Sequence, residues 1–154
     1  MAMTDAAQPI TPRLVDALYT EAMLIADEAR SYFEDGSRDE RSELDPFERV
    51  GFSCESLKVT TRLMHVVAWL LTQRALANGE LDVAATRRPG RRLGKAAESD
   101  FALVERLPQS AQDLIHASRE LYGRVKRLDE DARSEPVAAP SPARALQNRL
   151  ERAF

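Results

Sequence analysis

Cys54 and His65 form the only cysteine–histidine pair that one helix of this 154-residue chain could hold, since Cys54 is the sole cysteine and His116, the only other histidine, lies in a different segment. Their eleven-residue separation amounts to three helical turns plus about 20°, so the two share a face but stand about 16 Å apart along the axis. A thiolate and an imidazole must approach to about 3 Å to act together. On one straight helix they cannot, and a small structural cysteine beside a boundary histidine is the reading that remains. A zinc site needs three or four Cys, His or carboxylate ligands at short spacings, which one Cys and two distant His do not supply. Phosphotransfer on His65 is disfavoured by its setting, "LMHVVAW", apolar on both sides. The glycines of "RRPGRRLGK" follow no strand and lack the spacing of a phosphate-binding loop. No catalytic residue, cofactor-binding residue or metal ligand is therefore assigned.

Three amphipathic segments must position whatever this chain does. The first, "TPRLVDALYTEAMLIADEARSYFEDG", opens with Thr11 as N-cap and Pro12 at the first helical position, and ends near Gly36. Val15, Leu18, Ala22, Ile25, Ala29 and Tyr32 alternate by three and four and form one stripe. The second runs from Asp45-Pro46 to Asn78-Gly79, with Phe47, Val50, Cys54, Leu57, Thr61, Met64, Ala68, Leu71 and Ala75 as its main stripe. Val59, Leu63, Val66 and Leu70 add a second stripe, so this helix has two neighbours to satisfy and is the central one. Gly51 lowers helix propensity by about 1 kcal/mol relative to Ala, which suggests a bend or a late start. The third, after Pro108, repeats the pattern at Ala111, Leu114, Ser118, Leu121, Val125 and Leu128, with His116 off the stripe and facing solvent. No run of alternating β-branched residues competes with these helices.

The expected fold is all-α: an antiparallel, up-down-up three-helix bundle over residues 8–133, dimeric, with a long loop between helices two and three. A disordered tail over 134–154 follows, ending in a short amphipathic helix. Residues 36–45 make a short polar link and residues 79–107 a long one, within which "SDFALVERL" suits a short helix. Links of this length are functional or disordered more often than not. Arg87, Arg88, Arg91 and Arg92, with Lys95, form its basic cluster, read either as a solvated loop or as a contact for an acidic partner. Between Asp27 and Glu48 acids outnumber bases, read either as a solvated helix end or as an acidic docking surface. Leu146, Leu150 and Phe154 at i, i+4 and i+8, interleaved with Arg149 and Arg152, mark a partner-binding helix or one that folds back on its own bundle. Tyr19, Met23 and Leu24, with Leu63, Val66 and Leu70 of the second stripe, are the expected dimer surface.

The totals narrow the function. A charged fraction of 31% with a net charge of −3 fits a soluble protein and does not favour nucleic acid as the main partner. One cysteine suits a reducing, cytoplasmic setting. The N-terminus has no basic region followed by an apolar one, so no secretory signal is expected. The longest apolar run, "LMHVVAWLL", is about half of what a membrane span requires.

The stretch "FSCESLKVTTRLMHVVAWLLTQRALANGE", with "TPRLVDALYTEAMLIADEARSYF" upstream, resembles the alphaproteobacterial RcdA family, the regulators of CtrA degradation. The likeness covers roughly residues 8–130 and weakens in the long loop and the tail. It implies a dimeric three-helix bundle with a disordered tail, acting as an adaptor of the ClpXP protease rather than as an enzyme. It further implies partners: the ClpX unfoldase, a CpdR-type response regulator, a PopA-type adaptor and CtrA-type cargo. Cytoplasmic and polar placement in the cell is implied as well. The competing reading is a small helical signalling or DNA-associated regulatory protein, which would need a basic face on a folded helix.

Overall fold

Thr11 accepts a hydrogen bond from the Leu14 amide at 3.1 Å and opens α1, Pro12–Ser31. A π-helical turn, Tyr32–Gly36, and a short helix α2, Arg38–Ser42, lead to Asp45. There Asp45 and Glu48 bond each other's backbone amides in a reciprocal capping box. From it α3, Pro46–Ala77, runs unbroken for 32 residues to Gly79, whose φ of +76° suits glycine. The short helices α4, Val83–Thr86, and α5, Phe101–Val104, lie on the way to α6, Gln109–Ser134, and α7 spans Pro142–Ala153. The computed structural model describes residues 10–134 and 142–153, and these contain helices and no strand. No helix among them is long and apolar enough to cross a membrane. The linker residues 135–141 and Phe154 lie outside the described residues.

The long helices α1, α3 and α6 pack on one another. The stripes expected on α1 and α6 form the core: Val15, Leu18, Ala22 and Ala29 from one, Ala111, Leu114, Leu121 and Val125 from the other. Trp69 and Phe52 of α3 complete it, and Phe52 stacks edge-on against Phe33 at 5.4 Å.

The directions of the helices differ from the up-down-up expectation. Arg74 near the end of α3 bonds Asp16 near the start of α1 at 3.0 Å, so these two run antiparallel. Along α3 and α6, however, Arg62 meets Ser118 and Trp69 meets Asp129, so their numbers rise together and the helices run parallel. The order is up-down-down. Antiparallel helical neighbours are joined by a few residues, whereas parallel ones need a return crossing.

That crossing is the long link, and it is ordered. Arg92 is bound to Asp129, the Tyr122 hydroxyl donates to Gly94 O at 2.7 Å, Ala97 O accepts from Arg62, and the Asp100 amide donates to Glu55. The chain thus climbs the groove between α3 and α6 from the level of Trp69 to that of Glu55. Fourteen helical residues rise about 21 Å. Eight extended steps cover up to about 28 Å, so only extended backbone returns in so short a length.

Gly51 neither bends α3 nor delays its start. It is buried, and a Cβ there would fall well inside contact with the Leu103 side chain. Glycine at this position lets α5 sit directly on α3.

Candidate functional site

The inward face of α3 carries Phe52, Glu55, Val59, Arg62, Val66 and Trp69, every one of them buried. Two charges in that row would each cost several kcal/mol if left unpaired. Glu55 Oε2 accepts from Ser99 Oγ at 2.6 Å, and its Oε1 accepts from the Asp100 amide at 3.0 Å and Lys58 Nζ at 2.9 Å. Arg62 donates to Ser99 Oγ at 2.7 Å, Ala97 O at 3.2 Å and Ser118 Oγ at 3.3 Å. Burial alone would raise the Glu55 pKa, but the hydrogen bonds from Ser99, Asp100 and Lys58 outweigh it and hold the carboxyl below its ordinary range. Burial pulls the Arg62 pKa down. Both carboxylate oxygens of Glu55 and both terminal nitrogens of Arg62 are occupied by other groups of the same chain. The cluster pins the return crossing to the helices and presents no reactive atom to a ligand.

A second polar clasp lies lower on the same seam. Asp129 accepts from Trp69 Nε1 at 3.0 Å and from Arg92 at 2.6 Å. At the far end, Tyr32 donates to Glu40 at 2.7 Å; burial first, then this bond, raises the phenol's pKa.

The apolar row taken from spacing as the main core stripe of α3 faces outward. Phe47 is 72% exposed, Leu57 67% and Met64 66%; Val50, Cys54, Thr61, Ala68 and Leu71 are exposed beside them. Their separations of three and four residues make a continuous seam of the kind that pairs helices. Leu63, Val66 and Leu70, expected at a dimer surface, are buried in the core of the chain itself and are not available to a partner. Met23 and Leu24 are exposed as expected, while Tyr19 is half-buried under the Arg74 guanidinium, 4.6 Å from its ring.

Cys54 lies exposed on the outward seam, and half-buried His65 abuts Gly94 of the return crossing, with no bond between them. His116 is exposed. Among the described residues no group of three His, Cys, Asp or Glu could hold a metal ion. In the basic cluster Arg87, Arg88 and Arg91 are exposed, whereas Arg92 belongs to the Asp129 clasp. On α7, Leu146 and Leu150 are exposed, as are Arg149 and Arg152. Phe154 lies outside the described residues.

Sequence reasoning missed Glu55, Arg62, Ser99 and Asp129. Glu55 and Arg62 fall in step with Phe52, Val59, Val66 and Trp69, and that register was the available signal. One further feature carries charge: Arg38, Arg41, Ser42, Arg49 and Ser53 line an open cleft of about 350 Å³ where α2 meets α3.

Comparison with known proteins gives these surfaces a context. No curated protein matches the sequence. A family model described as "Protein of unknown function (DUF1465)" matches residues 6–154. The crystal structure of RcdA from Caulobacter crescentus CB15 is similar, with 31% sequence identity and a TM-score of 0.64, over 80% of this chain and 93% of that one. Matched by the family model over nearly its whole length, and similar in sequence and structure to RcdA, the chain belongs to the DUF1465 family, the RcdA-like proteins.

Proposed function

We propose that this chain is a non-enzymatic proteolytic adaptor, acting in the cytoplasm, that delivers cell-cycle regulators of the CtrA type to the ClpXP protease. In this reading it works as a homodimer, with ClpX, a CpdR-type response regulator and a PopA-type adaptor as its partners. The observation that carries the reading is the uncovered apolar seam of α3 in a chain of RcdA kinship. Exposed apolar patches of this kind are a usual mark of protein association. A second copy along Phe47, Val50, Leu57, Met64 and Leu71 gives that seam its cover, in place of the Leu63, Val66 and Leu70 surface. The domain over 8–133 recruits cargo, and the tail over 134–154, through Leu146, Leu150, Phe154, Arg149 and Arg152, engages the unfoldase or its regulator. Arg87, Arg88 and Arg91 serve an acidic partner.

The test is a pull-down with ClpX and a CpdR-type regulator, together with a cargo-degradation assay, for the full chain and a chain ending at residue 134. The truncated chain loses only the helical signal of α7, keeps the bundle's thermal melt and the dimer's two-chain assembly, and loses delivery. Unaltered cargo turnover after truncation refutes the tail's role, and failure of the full chain to bind ClpX, primed or not, refutes the adaptor reading itself.

A further inference from the structure

We propose that the cleft between α2 and the first turns of α3 is a binding site for a phosphomonoester, presented on a protein side chain or on a small molecule. This goes beyond the adaptor reading and does not depend on it. Three guanidiniums, Arg38, Arg41 and Arg49, and two serines, Ser42 and Ser53, line the cleft, and no carboxylate does. None of the three arginines is ion-paired among the described residues.

Arg49 is preset. Its Nε donates to Arg41 O at 3.2 Å and Leu44 O at 3.1 Å, and one terminal nitrogen donates to Ser42 O at 3.1 Å. These bonds fix the guanidinium plane before any ligand arrives and leave its other terminal nitrogen without a partner. Arg41 lies 5.9 Å over the Phe52 ring, which holds its position by cation–π attraction. Planar guanidiniums, two of them held in place, match the oxygens of a phosphate dianion, and the Ser53 hydroxyl adds a donor, while that of Ser42 already donates to Asp39 O at 2.6 Å.

The acids of this segment are turned to other work: Glu40 accepts from Tyr32, and Asp45 and Glu48 cap α3. Asp35, Asp39 and Glu43 remain on the surrounding surface. The attraction is therefore local. A compact dianion gains the three arginines, whereas an extended polyanion also meets the acidic surround.

The experiment is calorimetric titration of the full-length protein with four probes at low salt. They are an otherwise uncharged peptide bearing one phosphoserine, its unphosphorylated twin, inorganic phosphate, and duplex DNA. The phosphopeptide and phosphate bind and compete with each other, while the twin and the DNA do not bind. Tighter binding of the peptide than of phosphate assigns the ligand to a protein side chain; equal binding assigns it to a small molecule. The exposed substitutions Arg38→Glu and Ser53→Asp, which leave the circular dichroism unchanged, each weaken binding by about tenfold or more. Absence of binding by both phosphate probes, unchanged affinity in both variants, or equal competition by DNA overturns the proposal.

Discussion

Glu55 and Arg62, seven residues apart on α3, are joined through a third residue: Ser99 Oγ donates to the carboxylate at 2.6 Å and accepts from the guanidinium at 2.7 Å. One hydroxyl on the return crossing thus serves two buried charges on the central helix. Ser99→Ala removes both bonds while leaving the charges in place. A loss of about 1–3 kcal/mol is expected in urea denaturation, and about 2–5 kcal/mol for Arg62→Ala, which strips Ala97 O of its donor and empties the volume of a buried side chain. A Ser99→Ala variant as stable as the parent would mean that the crossing is held by other means.

The Glu55 carboxyl sets a pH dependence. Its folded pKa lies below the ordinary 4.5, so it adds stability above that value, and the contribution is lost as pH falls through the folded pKa. Exposed Asp45, held low chiefly by the Glu48 backbone amide, slopes in the same direction. The urea midpoint is expected to drop as the pH is lowered from 6 to below about 4. Glu55→Gln, with nothing to titrate there, has a shallower drop. Midpoints measured across that range for both proteins check the point, and identical slopes would count against it.

Gly51 makes a prediction of opposite sign to helix propensity. On an exposed helix, Gly→Ala gains about 1 kcal/mol. At this position the new methyl meets three carbons of Leu103, so the whole side chain must move. Gly51→Ala is expected to destabilise by about 1–3 kcal/mol, as overpacked sites do. The pair Gly51→Ala with Leu103→Ala should recover part of that loss if the clash is its cause, and thermal melts of the single and double variants decide it.

The outward seam of α3 predicts an assembly phenotype without a folding one. Leu57→Arg together with Met64→Arg places two charges on exposed positions. Circular dichroism should be unchanged, while light scattering should give the mass of a single chain where the proposed dimer of the parent would give two. Persistence of the parental dimer mass would move the interface elsewhere, with Met23 and Leu24 of α1 the next surface to test.

Much of the local structure is written in short range. Thr11, Asp45 and Pro46 open their helices, Asn78 and Gly79 close α3, and the rows on α1 and α6 face inward as their three-four spacing requires. These follow from capping bonds and amphipathic periodicity, which involve neighbours within a turn or two. Two decisions lay beyond that range. The uncharged, mainly apolar row of α3, Phe47 to Leu71, looked like core, whereas the row that turns inward carries Glu55 and Arg62. A charged row is a poor core until Ser99, Ala97, Asp100 and Ser118 arrive from 35 or more residues away to satisfy it. The direction of α6 was decided in the same place, because an extended crossing clasped at Asp129 and Glu55 carries the chain back before the last long helix begins. The sequence alone therefore determined where the helices start, stop and are apolar. Only tertiary packing decided which face of the central helix is covered by its own chain and which is left exposed, because that choice rests on hydrogen bonds between residues that spacing cannot bring together.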